Sequence, residues 1–294
     1  MEQAETRARP GFTAFAVARH KLHHQTHDAG RFLSDTLIGP LLASLLEEDA
    51  GQMGRKAARR NARKRGSAVQ KKARFFLAIR SNVAEQAVHD AVTAGAQQVV
   101  LLGAGLDTFF FRSPLPAHVC CIEADLERTQ AWKRARLAEL HVCTAHVHFV
   151  SLDLRDDAMQ SLQQQSPFDP RKKSVFVMLG VVPYLTREAV AHLLGSLSTG
   201  TVVFDFGQLV EVASPAARRR FEKRAASVRD VGEPWLSQWD PDDLASQLRN
   251  AGFHTVEMLG PPELAARFFD GQTDWVQKRG PHPCTICIAT KDEN

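Results

Sequence analysis

The sequence predicts an α/β fold, a doubly wound and mostly parallel sheet beneath an N-terminal helical cap. Three observations carry that reading. From about residue 97 onward, short β-branched apolar runs alternate with longer stretches of helical spacing. The residues before 95 lack this rhythm and look helical throughout. Directly after the first apolar run comes a Gly-Ala-Gly turn, Gly103-Ala104-Gly105, where a parallel sheet commonly meets its ligand.

In chain order, helices are predicted over Thr13 to His27, Asp35 to Glu48 and Lys72 to Ala94, the last running into the first strand. Between the second and third lies a basic, alanine-rich insert over 55–74. The strands follow as Gln98 to Leu102, Val119 to Ile122, Val147 to Val150, Val175 to Met178 and Val202 to Phe206, with helical spacing over 126–140 and 187–198. Two later runs, Phe253 to Leu259 and Cys284 to Ala289, complete the far edge as a hairpin-like pair with an antiparallel final strand. Pro261-Pro262 starts a helix between them, and Gly280-Pro281-His282-Pro283 turns the chain back. The organisation is therefore a cap over 1–94 and a sheet domain over 95–294.

The chain has 294 residues, 44% of them hydrophobic and 24% charged, enough to build a core and to exclude wholesale disorder. Its net charge of +4 hides an uneven distribution: ten basic and no acidic residues fall between Arg55 and Arg74, so the rest of the chain carries −6. No apolar run reaches the ~18 residues of a membrane span, and the N-terminus lacks the order of a secretion signal. Five cysteines, largely in apolar β-like runs, suit buried thiols in a reducing compartment. A soluble cytoplasmic protein is expected.

The glycine turn limits the ligand. A dinucleotide fingerprint needs a third small residue to seat the following helix, but Thr108 is followed by Phe109, Phe110 and Phe111, so a pyrophosphate cradle is poorly supported. The second strand ends at Asp125 and the third runs into Asp153, placing two carboxylates at the same rim. Either alone could simply cap the next helix. Together with the turn, and with no anion-binding set, they suit the ribose and adenine of an adenosyl group carrying a positive sulfonium.

Gln97-Gln98-Val99-Val100-Leu101-Leu102-Gly103-Ala104-Gly105-Leu106-Asp107-Thr108, with Phe111-Arg112, Glu123-Ala124-Asp125 and Lys133, strongly resembles the leucine carboxyl methyltransferase-like family. The likeness extends to Thr13-Ala14, Leu77-Ala78-Ile79-Arg80, Asp153-Leu154-Arg155, Gly180-Val181-Val182-Pro183-Tyr184-Leu185, Gly232-Glu233-Pro234 and Ala251-Gly252-Phe253. It implies a Rossmann-like class I fold, S-adenosylmethionine as cofactor and O-methyl transfer of the bacterial secondary-metabolite type. By the same resemblance Gly103 and Gly105 approach the methionine part, Asp125 holds the ribose, Asp153 and Leu154 flank the adenine, and Arg80 reaches the cofactor's carboxylate. Two departures stand out. Leu179 occupies the family's usual glutamate position, and Asp35-Thr36-Leu37-Ile38 replaces Asp-Pro-x-Ala.

Methyl transfer from sulfonium to oxygen is an in-line displacement, so positioning and desolvation dominate. A carboxylate acceptor is already ionised at pH 7, whereas a hydroxyl needs a base or a nearby cation. Candidates for catalytic roles are Tyr184, the chain's one tyrosine, and His20 and His24. The last two belong to a stripe of His20, His23, His24 and His27 at helical spacing, read as lining the substrate mouth rather than binding metal. Arg112, Arg155 and His192 are weaker candidates. Cys284 and Cys287, three apart in a strand, point to opposite faces and do not suit zinc. The basic insert is a solvated surface, a device capturing an acidic or phenolic small substrate or an acidic carrier protein, or, third, a nucleic-acid contact. The rival to the enzyme is a binding protein that keeps the fold and works through that insert.

Overall fold

The computed structural model describes residues 9–29, 31–52, 68–156, 158–209, 215–270 and 284–292. Its strands are β1 (Gln98–Leu102), β2 (Cys120–Asp125), β3 (Val147–Ser151), β4 (Ser174–Met178), β5 (Gly200–Gly207), β6 (Thr255–Leu259) and β7 (Cys284–Lys291). Among the described residues these form one seven-stranded sheet in the order β3-β2-β1-β4-β5-β7-β6. The first five strands are parallel, and β7 runs antiparallel to both β5 and β6. The Rossmann-like architecture and the antiparallel final strand are as expected from the sequence. Strand order reverses between β1 and β4, which opens a crevice at their carboxyl ends.

The helices are α1 (Phe12–His27), α2 (Ile38–Gln52), α3 (Ala68–Thr93), α4 (Phe109–Arg112), α5 (Glu127–Glu139), α6 (Ala158–Gln165), α7 (Arg187–Ser196), α8 (Pro215–Arg229), α9 (Pro241–Asn250) and α10 (Pro261–Phe268). No helix among the described residues is long and apolar enough to cross a membrane.

Every residue of β1 is buried, and its side chains alternate between two cores. Val99 and Leu101 face the α3 side, with Ile79, Val83 and Val88, while Val100 and Leu102 face Leu162 of α6 and Leu193 of α7. Helix α3 is thus one outer layer of the sheet. Helices α1 and α2 build a third cluster, in which Ala18, Leu41 and Leu45 pack with Leu106 and Trp132.

Two boundaries moved for local reasons. Asp35 lies outside α2 because its carboxylate accepts the N–H of Ile38 (3.0 Å) and the hydroxyl of Thr108 (2.7 Å). Helix α3 starts four residues before Lys72 and takes in the end of the basic stretch. There Arg74 is buried and donates to Asp28 at 3.0 Å, so this charge locks α3 to the end of α1 instead of lying in solvent. Residues 55–67 of the insert and the turn at 280–283 lie outside the described residues.

Candidate active site

A cavity of about 710 Å³ opens at the crevice where the strand order reverses. The turn after β1 forms its floor. Gly103 has φ +70°, and a side chain there would place Cβ 2.5 Å from Val181 Cγ2. Its N–H and that of Ala104 donate to the carbonyl of Ala124 (2.8 and 3.1 Å), bending the backbone toward the end of β2. Asp125 then accepts the N–H of Gly105 at 2.6 Å and of Leu126 at 2.7 Å, one on each carboxylate oxygen. Burial pushes its carboxyl upward, and those two N–H groups pull it back. Thr129 donates a third hydrogen bond to this carboxylate, which leaves one lone pair for a ligand hydroxyl.

Asp153 and Leu154 line the same wall. Arg155 pairs with the Asp153 carboxylate, and that bond holds the group below its usual range. Also on the cavity lining, Arg80 of α3 donates through Nη1 to Asp205 of β5 at 2.7 Å, both side chains being buried. Asp205 also accepts the N–H of Gly180 at 2.6 Å. Arg80 Nε is buried without a hydrogen-bond partner, and Leu179 lines the cavity beside this group.

The rest of the cavity is aromatic and basic. The Tyr184 hydroxyl shares hydrogen bonds with Trp235 and Thr13, and burial pushes its pKa up, so it remains a phenol at neutral pH. His20 lines the wall, and burial, with Arg224 and Arg19 nearby, lowers its pKa to about 4. Phe221 and Trp235 pack with ring centroids 5.3 Å apart, and the Arg224 guanidinium lies 5.9 Å from the Trp235 ring. Glu233 closes the rim by accepting the first N–H groups of α1, from Phe12 (3.1 Å) and Thr13 (3.0 Å).

Arg80, Gly103, Gly105, Asp125, Asp153, Leu154, Tyr184 and His20 therefore share one cavity. His24 does not join them. It lies one turn past the last α1 residue of the lining, its Nε2 accepts the Phe32 N–H at 3.2 Å, its ring stacks on Phe32, and its Nδ1 faces Asp28 at 3.4 Å. His23 and His27 pair with each other, centroids 5.1 Å apart. The histidine stripe thus splits, with only His20 at the cavity, because α1 passes beyond the rim after Lys21.

Of the weaker candidates, Arg155 lines the wall while Arg112 and His192 do not. Arg112 pairs with Glu85 and reaches Asp35 at 3.7 Å, fastening α4 to α3. Cys284 lines the cavity, its thiol pushed up to about 12 mainly by burial. Cys287 lies in the core on the other face, as strand alternation requires. Sequence reasoning missed Asp205, Arg224, Trp235 and Glu233 as parts of the site. A charge inside the apolar run Val202 to Phe206 was the available signal for Asp205.

The residues present fit an adenosyl sulfonium cofactor. The Gly103 turn has no room for a side chain, Asp125 keeps one free lone pair, and Arg80 Nε is an unpartnered buried donor. The family model described as leucine carboxyl methyltransferase matches residues 14–198, well over half the chain.

The chain belongs to the leucine carboxyl methyltransferase family. A protein of Bacillus subtilis (strain 168) assigned as an S-adenosyl-L-methionine-dependent methyltransferase is 30% identical over 202 residues, covering 66% of each chain. A relative so assigned from Mycolicibacterium smegmatis is 29% identical, covering 73% of this chain and 65% of its own. Another from Mycobacterium tuberculosis (strain ATCC 25177 / H37Ra) is 35% identical, covering 65% and 58%. The chain thus spans just under two thirds, or less, of the length of these relatives. Among solved structures, an O-methyltransferase family protein from Burkholderia thailandensis aligns at TM-score 0.44 and 16% identity, covering 91% of this chain and 77% of its own. The family's cofactor is S-adenosylmethionine, and Asp125, Asp153, Leu154 and Arg80 are the residues of this chain that would hold it.

Proposed function

We propose that this protein is an S-adenosylmethionine-dependent O-methyltransferase of a small acidic or phenolic metabolite, acting in the cytoplasm. The observation that carries the reading is one continuous cavity with a cofactor wall at Gly103, Asp125 and Asp153 and a second region formed by Tyr184, Trp235, Phe221, His20 and Arg224. When bound, the cofactor supplies an activated methyl on sulfur. The chain's part is to hold the acceptor oxygen in line with that methyl and keep water out.

The preference for oxygen rests on charge. Arg80, Lys21, Arg128 and Arg155 each face a carboxylate, whereas Arg224 has no acidic partner among the described residues. An unmatched guanidinium at the mouth attracts a carboxylate or phenolate and repels a protonated amine. His20, neutral on the cavity wall, would take a proton from a hydroxyl acceptor, and the Tyr184 phenol would orient it. The basic 55–74 segment would raise the encounter rate with an acidic metabolite or an acidic carrier protein.

The test uses methyl-labelled S-adenosylmethionine with a panel of aromatic and aliphatic acids, phenols and amines. Label released as methanol by mild alkali marks an ester, and alkali-stable label on oxygen marks an ether. Label on nitrogen, or no transfer to any member, would contradict the proposal.

A further inference from the structure

We infer that Asp205 is the acceptor for the α-ammonium of the bound cofactor, forming with Arg80 a two-charge clamp for an α-amino acid group. This rests on the S-adenosylmethionine reading of the site. The two side chains lie side by side on the cavity wall, joined at 2.7 Å and both buried. A buried ion pair is costly to desolvate and adds little stability of its own, so its presence in a ligand cavity calls for a second use.

The spare valences match a zwitterion. Arg80 uses Nη1 on Asp205 and leaves Nε buried without a partner, a donor free for a carboxylate. Asp205 accepts one bond on each oxygen, from Arg80 and from the Gly180 N–H, leaving lone pairs for an N⁺–H donor. Gly180 has φ +72°, and a Cβ there would lie 3.2 Å from both Arg80 Nη atoms, so the backbone is shaped around this pair. Leu179 at the end of β4 offers no acceptor, and Asp205 on the next strand supplies the carboxylate instead. Without it, an ammonium beside Arg80 would meet only like charge.

The experiment measures affinity by calorimetry for S-adenosylhomocysteine and for its deamino analogue, in which hydrogen replaces the amino group. Wild type is expected to bind the amino form at least about 10-fold more tightly, the usual worth of a charged hydrogen bond. Asp205→Asn should weaken S-adenosylhomocysteine and leave the deamino analogue nearly unchanged, so the ratio falls toward one. If Asp205 only positions Arg80, the variant weakens both ligands equally and the ratio survives, which overturns the inference. Equal binding of both ligands by wild type also overturns it. Wild type that binds neither ligand instead refutes the cofactor reading beneath it. Should Asp205→Asn fail to fold, Asp205→Ser must show the same selective loss, and an unchanged ratio there counts against the inference.

Discussion

The Asp125 carboxylate and the Gly105 N–H are joined at 2.6 Å, which ties the loop after β1 to the end of β2 twenty residues away. The same carboxylate holds the Leu126 N–H at the start of α5. Asp125 is therefore both a ligand candidate and the post on which the glycine turn is set.

Asp125→Asn replaces one acceptor oxygen with a donor facing an N–H group. S-adenosylhomocysteine affinity is expected to fall about 10- to 100-fold, with a smaller loss of thermal stability. Titration of the variant checks this, and unchanged affinity would remove Asp125 from the ribose contact.

Arg224 stands at the mouth, packed over Trp235 and distant in role from the cofactor wall. Arg224→Ala should raise KM for an anionic acceptor several-fold while leaving S-adenosylhomocysteine affinity unchanged. An equal loss of both would assign the arginine to general structure.

Glu233 caps α1 from across the rim, with one carboxylate oxygen on Phe12 N–H and the other on Thr13 N–H. Glu233→Ala leaves those two donors unpaired and should cost about 1 kcal/mol, in the range of lost helix caps. Thermal unfolding measures it, and an unaltered melting temperature would show that the rim closes by other contacts.

His20 is held neutral far below its ordinary 6.5, its pKa lowered to about 4 by burial and then by Arg224 and Arg19. Between pH 6.5 and 4 the unfolded chain thus binds a proton at this residue that the native state refuses. This contribution to stability is complete above 6.5 and is lost as pH falls, by up to about 1.4 kcal/mol per pH unit. Glu123, pushed up to about 7 mainly by burial, acts in the opposite sense over the same window, so wild type must be compared with a variant. His20→Gln should gain on wild type in melting temperature as pH drops from 6.5 to 4.5. A constant difference across that range would contradict the shift.

Much of this was legible because it is local. The β-branched runs marked the seven strands of the described residues, and Gly103 with Asp125 and Asp153 marked the rim of the cavity. Asp205 and Glu233 escaped because their meaning depends on partners 125 and about 220 residues away, which no local period encodes. His24 misled for the opposite reason. Its spacing matched His20, but the helix had already left the cavity, and the imidazole is spent on Phe32 and Asp28.

The central claim is that the crevice between β1 and β4 binds an adenosyl sulfonium cofactor and not a dinucleotide. Calorimetric titration of the purified protein with S-adenosylhomocysteine, alone and in excess NAD, tests it most directly. The expected result is saturable binding of one ligand per chain that NAD does not displace. No binding of S-adenosylhomocysteine, or its displacement by NAD, would contradict the account.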